Sequence, residues 1–290
     1  MLSIESAMNY NTAKFTEVVQ YEFGFDCNLS YNTPFPRPLP MEERVVEMTV
    51  PVETESGVLN CVVWSPYGKS LQRPLVLLGH GGTGHKKSPY LVWFALRLVT
   101  DYNFVAAAID HLPQHGDRGG VSDISTSVDW TGSSATFDEV IDLIVDDWQA
   151  TLRTLINKIE VDETKIGYWG HSGGTLMGIP LLAKTPGITA AALGKFGLEA
   201  KPEINKLFGN DEFPIVAARH KRDASLITCP IHYLISMDDN LFTQSGQIDL
   251  FNRLGSSRKA LWAEPGDHIT ESYNSIAYQL KFLGDTLKEE

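Results

Sequence analysis

Lys165-Ile166-Gly167-Tyr168-Trp169-Gly170-His171-Ser172-Gly173-Gly174 is the stretch on which the fold turns. Ile166 to Trp169 reads as a short buried strand, and Gly170-His171-Ser172-Gly173-Gly174 matches G-x-S-x-G. That pattern puts a serine on a sharp strand-to-helix bend, exposed above the edge of a sheet. Glycines at 170 and 174 suit such a bend, because a side chain at either would collide with the neighbouring strand or helix. Thr175-Leu176-Met177-Gly178-Ile179 then opens a helix. Ser172 therefore sits at a helix N-terminus, where free N–H groups and the dipole favour developing negative charge. Five residues of this type also arise by chance. The weight here comes from the strand before, the helix after and the partners downstream.

Working outward, the chain has 290 residues, 43% of them hydrophobic and 21% charged. That is enough to bury a sizeable core. Lys+Arg 24 against Asp+Glu 36 gives a net charge of −12. Nucleic acid or an anionic membrane as main partner would need clustered basic residues, so this balance argues against both. Cys27, Cys61 and Cys229 are odd in number and widely spaced, and are read as reduced, with Cys61 and Cys229 as small core residues. The N-terminal residues carry no basic region and no apolar run of signal length, which sets a cytoplasmic expectation.

Residues 1–43 read as an N-terminal arm, stiffened by Thr33-Pro34-Phe35-Pro36-Arg37-Pro38-Leu39-Pro40. It is expected to lie on its own domain; a swapped arm in a homodimer is the other reading. Residues 44–290 read as one domain. Strands at 44–52 and 58–65 form an antiparallel pair by their alternation. Pro74-Leu75-Val76-Leu77-Leu78, Phe104 to Ile109, Ile188 to Leu193, 230–236 and 259–263 read as further strands, the first uninterrupted and apolar as in a strand covered on both faces. Helices are expected after Ser88-Pro89, over 245–254 and from Tyr273 onward. Thr136-Phe137-Asp138-Glu139 is a capping box opening a long amphipathic helix. Residues 195–228 are mixed and polar, with weak helical signals. Strands alternating with helices imply an α/β fold, with a mostly parallel central sheet, helices on both faces and an antiparallel N-terminal edge.

Functional loops in such sheets lie at the C-terminal ends of the strands. Ser172 follows one strand, Asp238 and Asp239 a later one, and His268 the last. A serine hydroxyl needs a base to take its proton, histidine has the right pKa for that task, and a carboxylate fixes its tautomer. A negative tetrahedral intermediate needs preorganised donors. The Gly173 N–H would be one, and an N–H of the His80–Thr83 loop, at Gly82, the other.

On Gly79-His80-Gly81-Gly82, Asp110 with His115-Gly116-Asp117-Arg118, Gly170-His171-Ser172-Gly173-Gly174, Ser236-Met237-Asp238-Asp239 and Gly266-Asp267-His268, the chain resembles the α/β-hydrolase superfamily, in its dienelactone-hydrolase-like and esterase-like branch. The resemblance covers roughly 44–288. It implies Ser172 as nucleophile, Asp239 as triad acid, three positions after the small residue Ser236, and His268 as base. Two positions depart from the pattern: serine stands where dienelactone hydrolases have cysteine, and Ile269 follows the histidine where a small residue is frequent.

The expectation is a serine hydrolase of carboxylic esters working through an acyl-enzyme, with a small-molecule ester as partner, no cofactor and no metal. A serine peptidase of the same fold and a catalytically silent binding protein are the rivals. Residues 111–135, with 196–225, are expected to roof the pocket. Trp130, His115 and Thr83 are the candidate substrate contacts. His80 reads as tying its loop, His171 as packing beside the bend, and Lys86-Lys87 as a solvated helix start.

Overall fold

The computed structural model describes residues 45–55, 57–68, 72–82, 84–111, 115–118, 136–202 and 212–289. The expected N-terminal arm, Cys27, Thr83, Trp130 and most of the expected roof lie outside these residues.

Among the described residues, eight strands form one sheet in the order β1-β2-β4-β3-β5-β6-β7-β8. They are β1 (Val45–Thr54), β2 (Gly57–Pro66), β3 (Arg73–Gly79), β4 (Val105–Ala108), β5 (Val161–His171), β6 (Ile188–Gly194), β7 (Ile231–Ser236) and β8 (Lys259–Glu264). β1 pairs with β2 antiparallel, and β2 with β4 antiparallel. Every other pairing is parallel. The helices between them are α1 (Pro89–Tyr102), α2 (Phe137–Lys158), α3 (Gly173–Lys184), α4 (Glu212–Ala224), α5 (Gln244–Arg253) and α6 (Tyr273–Thr286).

Alternation along the central strands sends side chains into two cores. Leu75, Leu77, Ala107 and Tyr168 pack with α2, α3 and α4 on one face. Val76, Leu78, Ala108 and Trp169 pack with α1 and α6 on the other. Both faces are covered, as a parallel sheet requires. Each Leu or Val fully buried here is worth about 1.5–3 kcal/mol. The capping box at α2 forms in full: Thr136 Oγ1 accepts from the Glu139 N–H, and the Glu139 carboxylate accepts from the Thr136 N–H.

α4 is the element that sequence reading left weak. It buries Phe213, Val216, Ala217, His220 and Ala224, a helical stripe, but Arg219 and Asp223 are buried on it too. Those two charges hide the apolar period. Arg219 is satisfied by Asp138, Asp142 and Asp223, which anchors α4 to α2.

The chain leaves β3 for β4 on one side and returns to β5 on the other. Gly79, at the end of β3, therefore stands in register with Gly170 of β5. Such a switch point leaves a crevice beyond the strand ends. The loop after β3 and the bend at Ser172 both open into it.

Candidate active site

Ser172 has φ 54 and ψ −115, left-handed backbone that a non-glycine residue adopts only under strain. The surroundings hold it there. Its N–H donates to the Gly194 carbonyl at 2.9 Å, and its carbonyl accepts from the Leu176 N–H at 2.9 Å. A β-carbon on Gly170 would meet the Gly174 carbonyl carbon at 2.9 Å, and one on Gly174 would overlap the Gly79 carbonyl oxygen. The bend thus lies tight against β3, and both glycines are required by close approach. Two side chains not singled out in the sequence pin it. Thr175 Oγ1 lies 2.8 Å from the Gly170 carbonyl and 2.7 Å from the Gly194 carbonyl, and accepts from the Gly194 N–H. The Tyr168 hydroxyl donates to the Gly174 carbonyl at 2.6 Å.

His268 Nε2 lies 2.8 Å from Ser172 Oγ, and His268 Nδ1 lies 2.9 Å from Asp239 Oδ2. The carboxylate accepts, so Nδ1 carries the hydrogen and Nε2 is free to accept from the serine hydroxyl. Asp239 is 1% exposed and His268 8%. Asp239 Oδ1 accepts from the Leu241 and Phe242 N–H groups at 2.7 and 3.0 Å, and Gln247 Nε2 reaches Oδ2 at 3.4 Å. These bonds aim the carboxylate at His268 and satisfy it away from water. Asp238 is exposed and turned the other way, its Oδ2 accepting from the Gly266 N–H at 3.2 Å. The ring of Phe242 lies 5.8 Å from that of His268 and walls off one side.

Opposite the histidine runs the loop after β3. A β-carbon on Gly173 would sit 2.7 Å from the Gly82 nitrogen, so the two backbones touch beside Ser172. Gly81 is held by both of its backbone polar groups. The Gly81 N–H donates to the Tyr90 hydroxyl at 2.7 Å, and the Gly81 carbonyl accepts from the Gly84 N–H at 3.0 Å. His80 Nε2 accepts from the His111 N–H at 3.2 Å, which leaves Nδ1 to donate to the Gly81 carbonyl at 2.8 Å. Burial pushes the His80 pKa down to about 3, so the ring stays neutral in this tautomer. It stacks on His111 at 4.0 Å. His115 is buried and donates from Nε2 to the Gly82 carbonyl at 2.8 Å. Its ring is thereby engaged with the loop after β3.

Lys86 departs from its expectation as a solvated residue. It is buried, with Nζ 2.5 Å from Asp110 and 2.7 Å from Asp117. Burial raises the Asp110 pKa, but hydrogen bonds from Lys86 and the Asp117 N–H outweigh it and the net shift is downward. Arg118 pairs with buried Asp147 of α2. This network ties the loops after β3 and β4 to each other and to α2. The dipeptide Lys86-Lys87, followed by Ser88-Pro89, gave no hint of it. Lys87 pairs with Glu47 of β1. His171 does pack beside the bend, with its ring 4.8 Å from that of Trp169, and it also meets Glu271 at 3.2 Å.

Among the described residues no group of three or more His, Cys, Asp or Glu is placed to hold a metal, and no helix is long and apolar enough to cross a membrane. The arrangement is a hydroxyl, an imidazole and a buried carboxylate in one hydrogen-bonded line, with the Gly82 backbone close against that of Gly173.

No family model matches the chain, and no curated protein does. Among solved structures, the chain is 29% identical to a cold-adapted esterase from an Arctic intertidal metagenomic library in its PEG-bound complex, with a TM-score of 0.67 over 85% of this chain and 98% of that one. Acetyl xylan esterase 1 from Thermoanaerobacterium sp. JW/SL YS485 is 15% identical, with a TM-score of 0.67 over 99% of both chains. A Mycobacterium tuberculosis puromycin-hydrolyzing peptidase is 14% identical, with a TM-score of 0.65 over 84% of this chain and 40% of that one. The last two speak for the fold alone; together the likenesses support a hydrolase.

Proposed function

We propose that this member of the α/β-hydrolase superfamily is a serine hydrolase of carboxylic esters, with Ser172 as nucleophile, His268 as general base and acid, and Asp239 as the residue that orients and stabilises it. The observation that carries the reading is the unbroken line from Ser172 Oγ to His268 Nε2 at 2.8 Å and from His268 Nδ1 to Asp239 Oδ2 at 2.9 Å.

In this reading Ser172 Oγ attacks the ester carbonyl carbon while His268 Nε2 takes its proton. The carbonyl oxygen becomes an oxyanion, which the N–H groups of Gly173 and Gly82 receive. The N-terminus of α3 adds a favourable dipole. The intermediate collapses, the C–O bond to the alcohol breaks, and His268 returns the proton to the leaving oxygen. Water then attacks the acyl-serine with His268 again taking a proton, the bond from the acyl carbon to Ser172 Oγ breaks, His268 returns the proton to Oγ, and the acid leaves. The residues need no metal or redox cofactor for these steps. Trp130, His115 and Thr83 stay proposed substrate contacts.

Ester rather than amide as substrate is supported by the 29% identical neighbour, an esterase. The test is a fluorophosphonate probe followed by p-nitrophenyl esters set against short peptide p-nitroanilides. Labelling at Ser172 with faster ester than anilide turnover is expected. Faster anilide turnover would make it a peptidase, and a chain that neither labels nor turns over either class would be a binding protein.

A further inference from the structure

Behind the proposed triad lies a second buried charge cluster with no part in the steps above. Glu271 is 3% exposed. Its Oε1 accepts from Gln279 Nε2 at 2.6 Å and Ser275 Oγ at 3.3 Å. Its Oε2 faces His171 Nδ1 at 3.2 Å and Lys195 Nζ at 3.7 Å. Lys195 is also 3% exposed, and its Nζ donates to the Thr270 carbonyl at 2.9 Å. It has φ 53, a second non-glycine residue held in left-handed backbone beside the bend.

The positions of these residues matter more than their burial. His171 immediately precedes Ser172. Lys195 immediately follows Gly194, whose carbonyl accepts the Ser172 N–H. Thr270 and Glu271 come two and three residues after His268. The cluster therefore bridges the loop that carries His268 to both strand ends that hold Ser172. Buried ion pairs are poor sources of stability, since desolvation offsets their attraction. An apolar contact would hold the loop as well, so charge here asks for another account.

We propose that Glu271 and Lys195 are positioning residues for His268, setting both its reach to Ser172 and the pH at which it accepts a proton. This rests on the reading of His268 as general base. The burial of Glu271 raises its pKa, but His171, Lys195 and Gln279 outweigh that and hold it at about 2, so the carboxylate is charged throughout the working range. The titratable and charged groups around His268 are Asp239 on its ring, Asp238 and Asp267 on the flanking loops, Lys201 through the Asp239 carbonyl, and His171, Lys195 and Glu271. With Glu271 and Lys195 both charged, their effects on a forming imidazolium oppose one another. Removing one exposes the other.

The experiment measures kcat/KM for p-nitrophenyl acetate against pH on the full chain, for wild type, E271Q, K195M, K195R and E271D, with folding checked by thermal melting. E271Q leaves Lys195 unbalanced and should move the acid limb down, by on the order of half a pH unit. K195M leaves Glu271 unbalanced and should move it up, by a similar amount. K195R should keep the wild-type limb, and E271D should keep it with a lowered kcat. Shifts of opposite sign support the proposal. Equal losses of kcat with an unmoved limb in E271Q and K195M would make the pair a structural prop and overturn it. If E271Q does not fold, K195M against K195R decides; if neither charge-removing variant folds, the pair is structural and the proposal falls. A wild type that does not react with the fluorophosphonate overturns the parent reading instead.

Discussion

His268 Nε2 stands 2.8 Å from Ser172 Oγ although 96 residues of chain separate them. Two strand ends produce the contact. β5 delivers the serine on its bend, and the loop after β8 delivers the histidine. Both residues are placed by backbone bonds that do not involve each other: Ser172 through Gly194, and His268 through the Asn240 side chain on its N–H at 3.3 Å. The geometry is therefore in place before any substrate arrives, which is what preorganised catalysis requires.

The Ser172→Ala variant should lose ester turnover by at least about 10³-fold and fail to take the fluorophosphonate, while folding normally. Its bend keeps the same backbone bonds, and alanine at that φ is strained no more than serine. Circular dichroism and a p-nitrophenyl ester assay check this. Residual turnover near wild type in a folded variant would remove Ser172 as nucleophile.

Gly174→Ala should destabilise the chain by about 1–3 kcal/mol or prevent folding, because its β-carbon would overlap the Gly79 carbonyl, which is backbone and cannot swing away. Gly187→Ala is the control: nothing lies within 4 Å of its β-carbon site, and no left-handed φ is recorded there. That substitution should be neutral or stabilising by a few tenths of a kcal/mol. Urea melts of the two variants side by side decide the matter. Equal stability would mean the loop after β3 can retreat from the bend.

Stability should fall as pH drops below about 6.5. Burial lowers the pKa of His80 to about 3 and of His232 to about 4, and lowers those of His111 and His220. These rings stay neutral when folded, while the unfolded chain takes protons near the ordinary value. The unfolded state thus binds more protons between about 6.5 and the lowered values, and stability is lost as pH falls through that window. Each such group adds a slope of about 1.4 kcal/mol per pH unit. Glu271, held at about 2 in the fold, adds to the loss only below about 4.5. His232 has a Nδ1 with no hydrogen-bond partner and packs against Tyr278 and Phe282. His232→Phe should flatten the slope between about pH 6.5 and 4 by one group's share. An unchanged slope in urea melts would show that His232 protonates freely in the fold.

Elements with a clean period were legible: the apolar run of β3, the capping box of α2 and the antiparallel pair β1–β2 could all be read from residue order. So could the glycines of the bend, because their reason is local. What escaped were side chains whose role is set by distant partners. Lys86 looks solvated beside Lys87 until Asp110, 24 residues on, closes over it. Lys195 and Glu271 are ordinary charges in sequence and become a buried pair only when β6 and the last loop meet. Thr175 bonds backbone from two strands, which no pattern along one segment announces. Arg219 and Asp223 broke the apolar stripe of α4 by being buried together. Periodicity reports which face is apolar; it is blind to charges that satisfy each other inside.

The choice between the adjacent acids gives the sharpest test of the proposed triad. Consecutive residues leaving β7 point different ways, and here the divergence is complete. Asp239 is buried, with Oδ2 on His268 Nδ1 and Oδ1 on the Leu241 and Phe242 N–H groups. Asp238 is exposed and caps the turn through the Gly266 N–H. Asp239→Asn keeps the size but supplies an amide. If its oxygen faces the two loop N–H groups, its NH₂ faces His268 and the ring must turn over or give up its Nδ1 hydrogen. The Nε2 then carries the hydrogen and cannot accept from Ser172. Turnover should fall on the order of 10⁴-fold, by analogy with serine proteases. Asp238→Asn removes only an exposed acceptor's charge and should cost much less, unless the turn itself loosens. Thermal melts separate that case, since a loosened turn lowers Tm whereas a wrong tautomer does not. Near-wild-type turnover in Asp239→Asn, with collapse in a well-folded Asp238→Asn, would mean that the carboxylate seen on His268 is not the one that works.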